Sequence, residues 1–98
     1  MKIYANDHYD AEWEFLQSII GQDIWVRAFV ALGYSYVDCY IKPLGVQRGR
    51  MAIQAQEYNK SFSRNWYDGI YYVEPYQIDL MQPVQIYTDE DIKEYLGE

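Results

Sequence analysis

The one histidine, His8, stands among Asp7, Asp10 and Glu12, a grouping that by residue type offers half a metal site or a general base beside carboxylates. Covalent catalysis asks for more: an activated Ser or Cys beside a base. Ser18, Ser35, Ser61 and Ser63 sit in no nucleophile-elbow pattern, no second histidine exists to serve as base, and Gly45 and Gly49 match neither dinucleotide nor P-loop spacing. Cys39 is the single cysteine, so one chain makes neither an internal disulfide nor a thiolate cluster. Between Val37 and Ile41 at alternate positions, it reads as inert core. Acids are plentiful, yet Asp89-Glu90-Asp91 is accounted for by helix capping, and no calcium-loop spacing is present. The expectation is a chain with no catalytic residues, no metal and no cofactor.

Chemistry of the binding kind is better represented. In Tyr34–Lys42 the small apolar set Val37, Cys39 and Ile41 separates at period two from Tyr34, Tyr36, Asp38, Tyr40 and Lys42, the pattern of a strand with one face in a core and one turned outward. A row of tyrosines offers broad contact area at low entropic cost. Further on, Arg48, Arg50, Lys60 and Arg64 are interleaved with Tyr58, Phe62 and Trp66, the residue types that contact phosphates and stack bases on a small barrel. The total charge of −7 opposes that reading, because nucleic acid repels an acidic chain at long range. The charge is also uneven: net −4 over residues 1–26, +4 over 27–66 and −7 over 67–98. Two acidic ends flank a basic middle. Acids arranged on a rigid surface can occupy a partner's phosphate-binding Lys and Arg. The residues expected to do so are Tyr34, Tyr36, Asp38 and Tyr40 on the strand, with Asp89, Glu90, Asp91 and Glu94 on the last helix. The alternative is single-stranded nucleic acid held by Arg48, Arg50, Lys60, Arg64 and Trp66.

The elements that must carry these residues follow from periodicity. Ninety-eight residues support one core, hence a single domain over 1–98. A short strand opens at Lys2-Ile3-Tyr4. Trp13, Leu16, Ile19 and Ile20 then recur at helical spacing over about residues 10–20, with Asp10 as N-cap and Gly21 as the left-handed C′ residue. Ile24–Val30 alternates and pairs with Tyr34–Ile41 as a hairpin across Leu32-Gly33. Pro43 and Gly45 end that strand, and Gln47–Arg50 forms an exposed turn. Met51, Ile53 and Ala55 mark a third strand, 58–69 a long aromatic loop, and Ile70–Glu74 a fourth strand, where Pro75 points to an edge or a bulge. Tyr76, Ile78 and Leu80 make a fifth, Val84–Ile86 a bent continuation or separate sixth. Thr88 caps a short final helix whose capping-box acid is Asp91 and whose C′ residue is Gly97. The fold class is α+β: a small antiparallel bent sheet or barrel of five to six strands with a helix near each end.

The ending Asp79-Leu80-Met81-Gln82-Pro83-Val84, followed by Thr88-Asp89-Glu90-Asp91-Ile92 and Leu96, resembles the strand, proline and capped-helix ending of small phage and mobile-element proteins. Among these, the anti-CRISPR proteins are similar in being short, acidic and without enzymatic motifs. The resemblance covers about a fifth of the chain and assigns no functional residue. It implies a host-directed inhibitor that docks on a Cas effector or another basic nucleic-acid-binding protein, where DNA should enter. The basic middle block departs from a uniformly acidic DNA mimic. The longest apolar run, Ala28–Leu32, is far short of the roughly 20 residues that cross a bilayer, and no basic-then-apolar leader opens the chain. A cytoplasmic protein without membrane contact is expected.

Overall fold

The computed structural model describes residues 11–33, 35–58 and 69–95. The expected Lys2–Tyr4 strand, the Asp10 cap, His8 with Asp7, most of the aromatic loop and Gly97 lie outside the described residues.

Helix α1 (residues 11–18) turns Leu16 inward, and Ile19 follows it into the core from the turn beyond. Burying either stabilises the fold by about 1.5–3 kcal/mol. The helix ends by tightening: the Ile19 and Ile20 amides donate to the Leu16 and Gln17 carbonyls, three residues back. Gly21 then takes φ 83°, where a side chain would be strained. Buried Glu12 ties the helix to the sheet by accepting a hydrogen bond from the Leu80 amide at 3.2 Å.

β1 (Ile24–Leu32) and β2 (Ser35–Gln47) form the expected hairpin, in register from Val26 opposite Ile41 to Leu32 opposite Ser35. β2 is longer than its sequence suggests. It runs through Pro43, because a register shift between Pro43 and Gly45 leaves Leu44 as an extra residue against β3 (Arg50–Glu57). Such a bulge accommodates a residue that has no N–H to give. The expectation that Pro43 and Gly45 end the strand is thereby corrected. The β2–β3 turn is the expected exposed one, with Arg48 at φ 57° and Gly49 at φ 78° between Gln47 and its partner Arg50. Two positive φ values in a two-residue loop match the right-handed twist of the flanking strands.

β4 (Gly69–Val73) pairs β3, and the chain then makes a 3-10 turn at Pro75–Gln77, so Tyr76 belongs to a turn rather than to the fifth strand. Gln77 holds that turn by accepting from the Glu74 amide and donating to the Ala31 carbonyl. β5 (Ile78–Leu80) and β6 (Ile86–Thr88) are separate strands that share the outer margin of β1. α2 (Asp89–Tyr95) closes the described chain.

The six strands form one antiparallel open sheet, β4-β3-β2-β1-β5, with β6 also on β1. It is a sheet and not a closed barrel, and with its two helices the fold is α+β. Val26, Ala28, Val30, Val37, Cys39, Ile41, Met51, Ile53, Ala55 and Val73 face α1 and are buried; Cys39 is core, as expected. No described helix is long and apolar enough to cross a membrane.

Candidate interaction surface

The other face of the sheet, called here the outer face, holds the residues that alternate with the core. The pairing register brings Trp25, Arg27 and Phe29 of β1 beside Tyr87, Tyr40 and Asp38 respectively, and Ala52 and Gln54 of β3 beside Tyr72 and Ile70 of β4. Two regions result.

The first lies under α2. Ile92 packs with Trp25, Tyr40 and Tyr87 in a second small cluster, and Tyr40 meets Tyr87 edge-on, with ring centroids 5.0 Å apart, a preferred aromatic geometry. Asp89 Oδ1 accepts a hydrogen bond from Trp25 Nε1–H at 2.6 Å. Lys42 Nζ lies 3.4 Å from Asp89 and 3.3 Å from Asp23, and 5.5 Å from the Trp25 ring centre. The indole hydrogen bond, aided by Lys42, holds the Asp89 carboxyl below its ordinary pKa. The expected capping box is present: Thr88 Oγ1 accepts from the Asp91 amide at 3.1 Å, and Asp91 Oδ2 accepts from the Thr88 amide at 3.0 Å.

The second region begins at Arg27. Its guanidinium donates twice to Asp38, Nε to Oδ1 at 3.0 Å and Nη2 to Oδ2 at 2.8 Å, and lies 3.5 Å from the centre of the Tyr58 ring. These hydrogen bonds to Asp38 raise the Arg27 pKa further above its ordinary value. Beyond it, Phe29, Tyr36 and Tyr58 are exposed, Tyr36 at 63%. Toward β4, Ile70 and Tyr72 are more than half exposed, and Tyr72 joins Gln47, Arg48, Arg50 and Glu74 in lining an open groove of about 600 Å³.

Of the residues expected to meet a partner, Tyr36, Glu90 and Glu94 stand exposed on this side. Asp38 is engaged by Arg27, Asp89 by Trp25 and Lys42, and Asp91 by its cap. Tyr40 is 2% exposed, buried in the cluster that α2 covers. Tyr34 lies outside the described residues, as do Lys60, Arg64 and Trp66 of the nucleic-acid set; Arg48 and Arg50 are exposed at the β2–β3 hairpin. Phe29, Tyr58, Ile70 and Tyr72 escaped the sequence reading as surface residues. The signal for Ile70 and Tyr72 was available, since Tyr71 and Val73 alternate with them and face the core.

No protein-family model, curated protein or solved structure matches the chain.

Proposed function

We propose that this chain is a non-enzymatic protein-binding module, an inhibitor of the phage or mobile-element, anti-CRISPR kind, that acts in the cytoplasm. It sets its outer face against a basic nucleic-acid-binding partner such as a Cas effector. One observation carries the reading. On this face Arg27, Lys42 and Arg50 are each held by an acid of the same chain, at 2.8 Å to Asp38, 3.3 Å to Asp23 and 3.4 Å to Glu74. Also directed outward are Tyr36, Tyr58 and Tyr72 from the sheet and Glu90 and Glu94 from α2, with Arg48 exposed at the β2–β3 turn and Lys93 beside the two glutamates. Aromatic rings supply contact area, and unneutralised acid supplies attraction for a phosphate-binding surface.

The test is competition between this chain and target DNA for a purified effector ribonucleoprotein. Displacement of DNA that weakens as salt rises supports the reading. No displacement by the chain, or an affinity unchanged by Glu90→Lys with Glu94→Lys, removes it.

The groove between Arg48, Arg50 and Tyr72 favours a second reading, in which phosphates meet the two arginines and a base stacks on the tyrosine. A fluorescence titration with labelled single-stranded oligonucleotides decides it; absence of binding at low salt dismisses it.

A further inference from the structure

The groove beside the β2–β3 turn is bordered by two residues whose types run against their positions. Arg48 holds φ 57°, a conformation that suits Gly or Asn and strains a residue with a long side chain. Gly45 is the reverse case. It is the one described glycine without a positive φ, and an added Cβ would meet nothing within 4 Å, so neither backbone nor packing calls for glycine there. Glycine inside a strand weakens it, and where the bulge does not use its freedom the reason left is close approach of something from outside. The register sets Gly45 beside Ala52 and Ala52 beside Tyr72, a row across three strands with almost no side chain until the phenol rises at its end. Two adjoining recesses of about 600 and 240 Å³ share Gln47, Arg50 and Tyr72, with Arg48 on the larger and Gly45 on the smaller. The larger falls in the size range of small-molecule sites. Arg48 forms no ion pair among the described residues, and Arg50, 61% exposed, meets Glu74 only at 3.4 Å.

We infer that this groove is a one-nucleotide site. It takes a free nucleoside monophosphate, with the base on the Gly45–Ala52 floor against the Tyr72 ring and the phosphate between Arg48 and Arg50. The bare floor lets a flat ring reach the backbone, and the phenol gives that ring a stacking face. The guanidinium forks match phosphate oxygens. The net charge of −7 selects against a longer strand: it repels every added phosphate of a polyanion, whereas a single phosphate is held by the two arginines beside it. The inference rests on the second reading above for the roles of Arg48, Arg50 and Tyr72, and narrows the ligand from a strand to one nucleotide.

Titration of the full chain with AMP, followed by amide NMR, tests it. Saturable shifts are expected at Gly45, Gln47, Arg50, Ala52 and Tyr72, with adenosine and inorganic phosphate each at least tenfold weaker. Gly45→Leu, which fills the floor, and Arg48→Gly, which relieves the turn, each weaken AMP at least tenfold without lowering Tm. Ile86→Ala, at an exposed position on β6, leaves AMP affinity unchanged. No saturation at about 1 mM AMP, or an affinity indifferent to both groove variants, overturns the inference. A single-stranded oligonucleotide that binds where AMP does not overturns the one-nucleotide site and keeps the second reading; binding of neither removes both.

Discussion

Arg27 and Asp38 sit diagonally across the β1–β2 hairpin, Arg27 opposite Tyr40 and Asp38 opposite Phe29, and close two hydrogen bonds at 3.0 and 2.8 Å. The ring of Tyr58 lies against the guanidinium on its other side. The arrangement fixes β1, β2 and the residue that follows β3 to one another on the outer face and withdraws a positive charge from it.

Removing one partner of this pair leaves the other partly buried and uncompensated. Asp38→Asn should cost about 2 kcal/mol in urea denaturation. The double change Arg27→Met with Asp38→Leu should cost less than Asp38→Asn alone, because an apolar pair carries no desolvation penalty. A double variant less stable than the single one would show that the pair contributes net stability.

Stability should fall in acid at the Asp89–Trp25 contact. A carboxyl with a folded-state pKa below its unfolded value stabilises the fold above about pH 4, and that contribution is lost as the pH falls through the folded pKa. The Trp25 indole N–H resonance, followed by NMR from pH 6 to pH 2, should move upfield as the hydrogen bond is lost. In Asp89→Asn the same resonance should show little pH dependence.

Ile92 holds α2 on the sheet, and a seven-residue helix is not stable by itself in water. Ile92→Ala should cost about 2–4 kcal/mol and make the amides of residues 89–95 exchange well before those of β2. If those amides stay as protected as in the parent, something other than Ile92 anchors the helix.

Arg48 occupies left-handed backbone space at φ 57°, which disfavours a residue with a Cβ by roughly 1–2 kcal/mol. Arg48→Gly should recover about 1 kcal/mol, read as a rise in Tm. The same variant should lower oligonucleotide affinity if the groove beside Tyr72 binds phosphate.

Tyr36 is 63% exposed on the outer face. Tyr36→Ala should leave stability within about 0.5 kcal/mol while reducing affinity for a basic partner at least tenfold. Unchanged affinity would move the contact surface away from this end of the sheet.

Local rules made several elements readable in advance. Thr88 and Asp91 announced the start of α2, and alternation in Ile24–Val30 and Tyr34–Ile41 announced the hairpin and its core face. Pro43 misled because the rule that proline ends a strand yields to a bulge, and a bulge depends on the partner strand's register. Tyr40 misled for a different reason. Alternation tells which face a side chain takes but not whether a distant helix covers that face, and α2 arrives some fifty residues later. The pairing of Arg27 with Asp38 was likewise hidden, although Asp38 belongs to the outward set and Arg27 alternates with Val26 and Ala28, because it follows from the exact offset across Gly33. Exposure of Phe29 and burial of Tyr40 on the same side mark the boundary of the helix, which only tertiary packing draws.

Among the described residues, every backbone pair made by β5 and β6 runs to β1. Strands β1 to β4 form an unbroken meander of three successive neighbours, so residues 78–95 can lift away as a cooperative unit without parting any rung between them. A C-terminal peel of this kind uncovers Trp25 and Tyr40 while leaving the first four strands zipped.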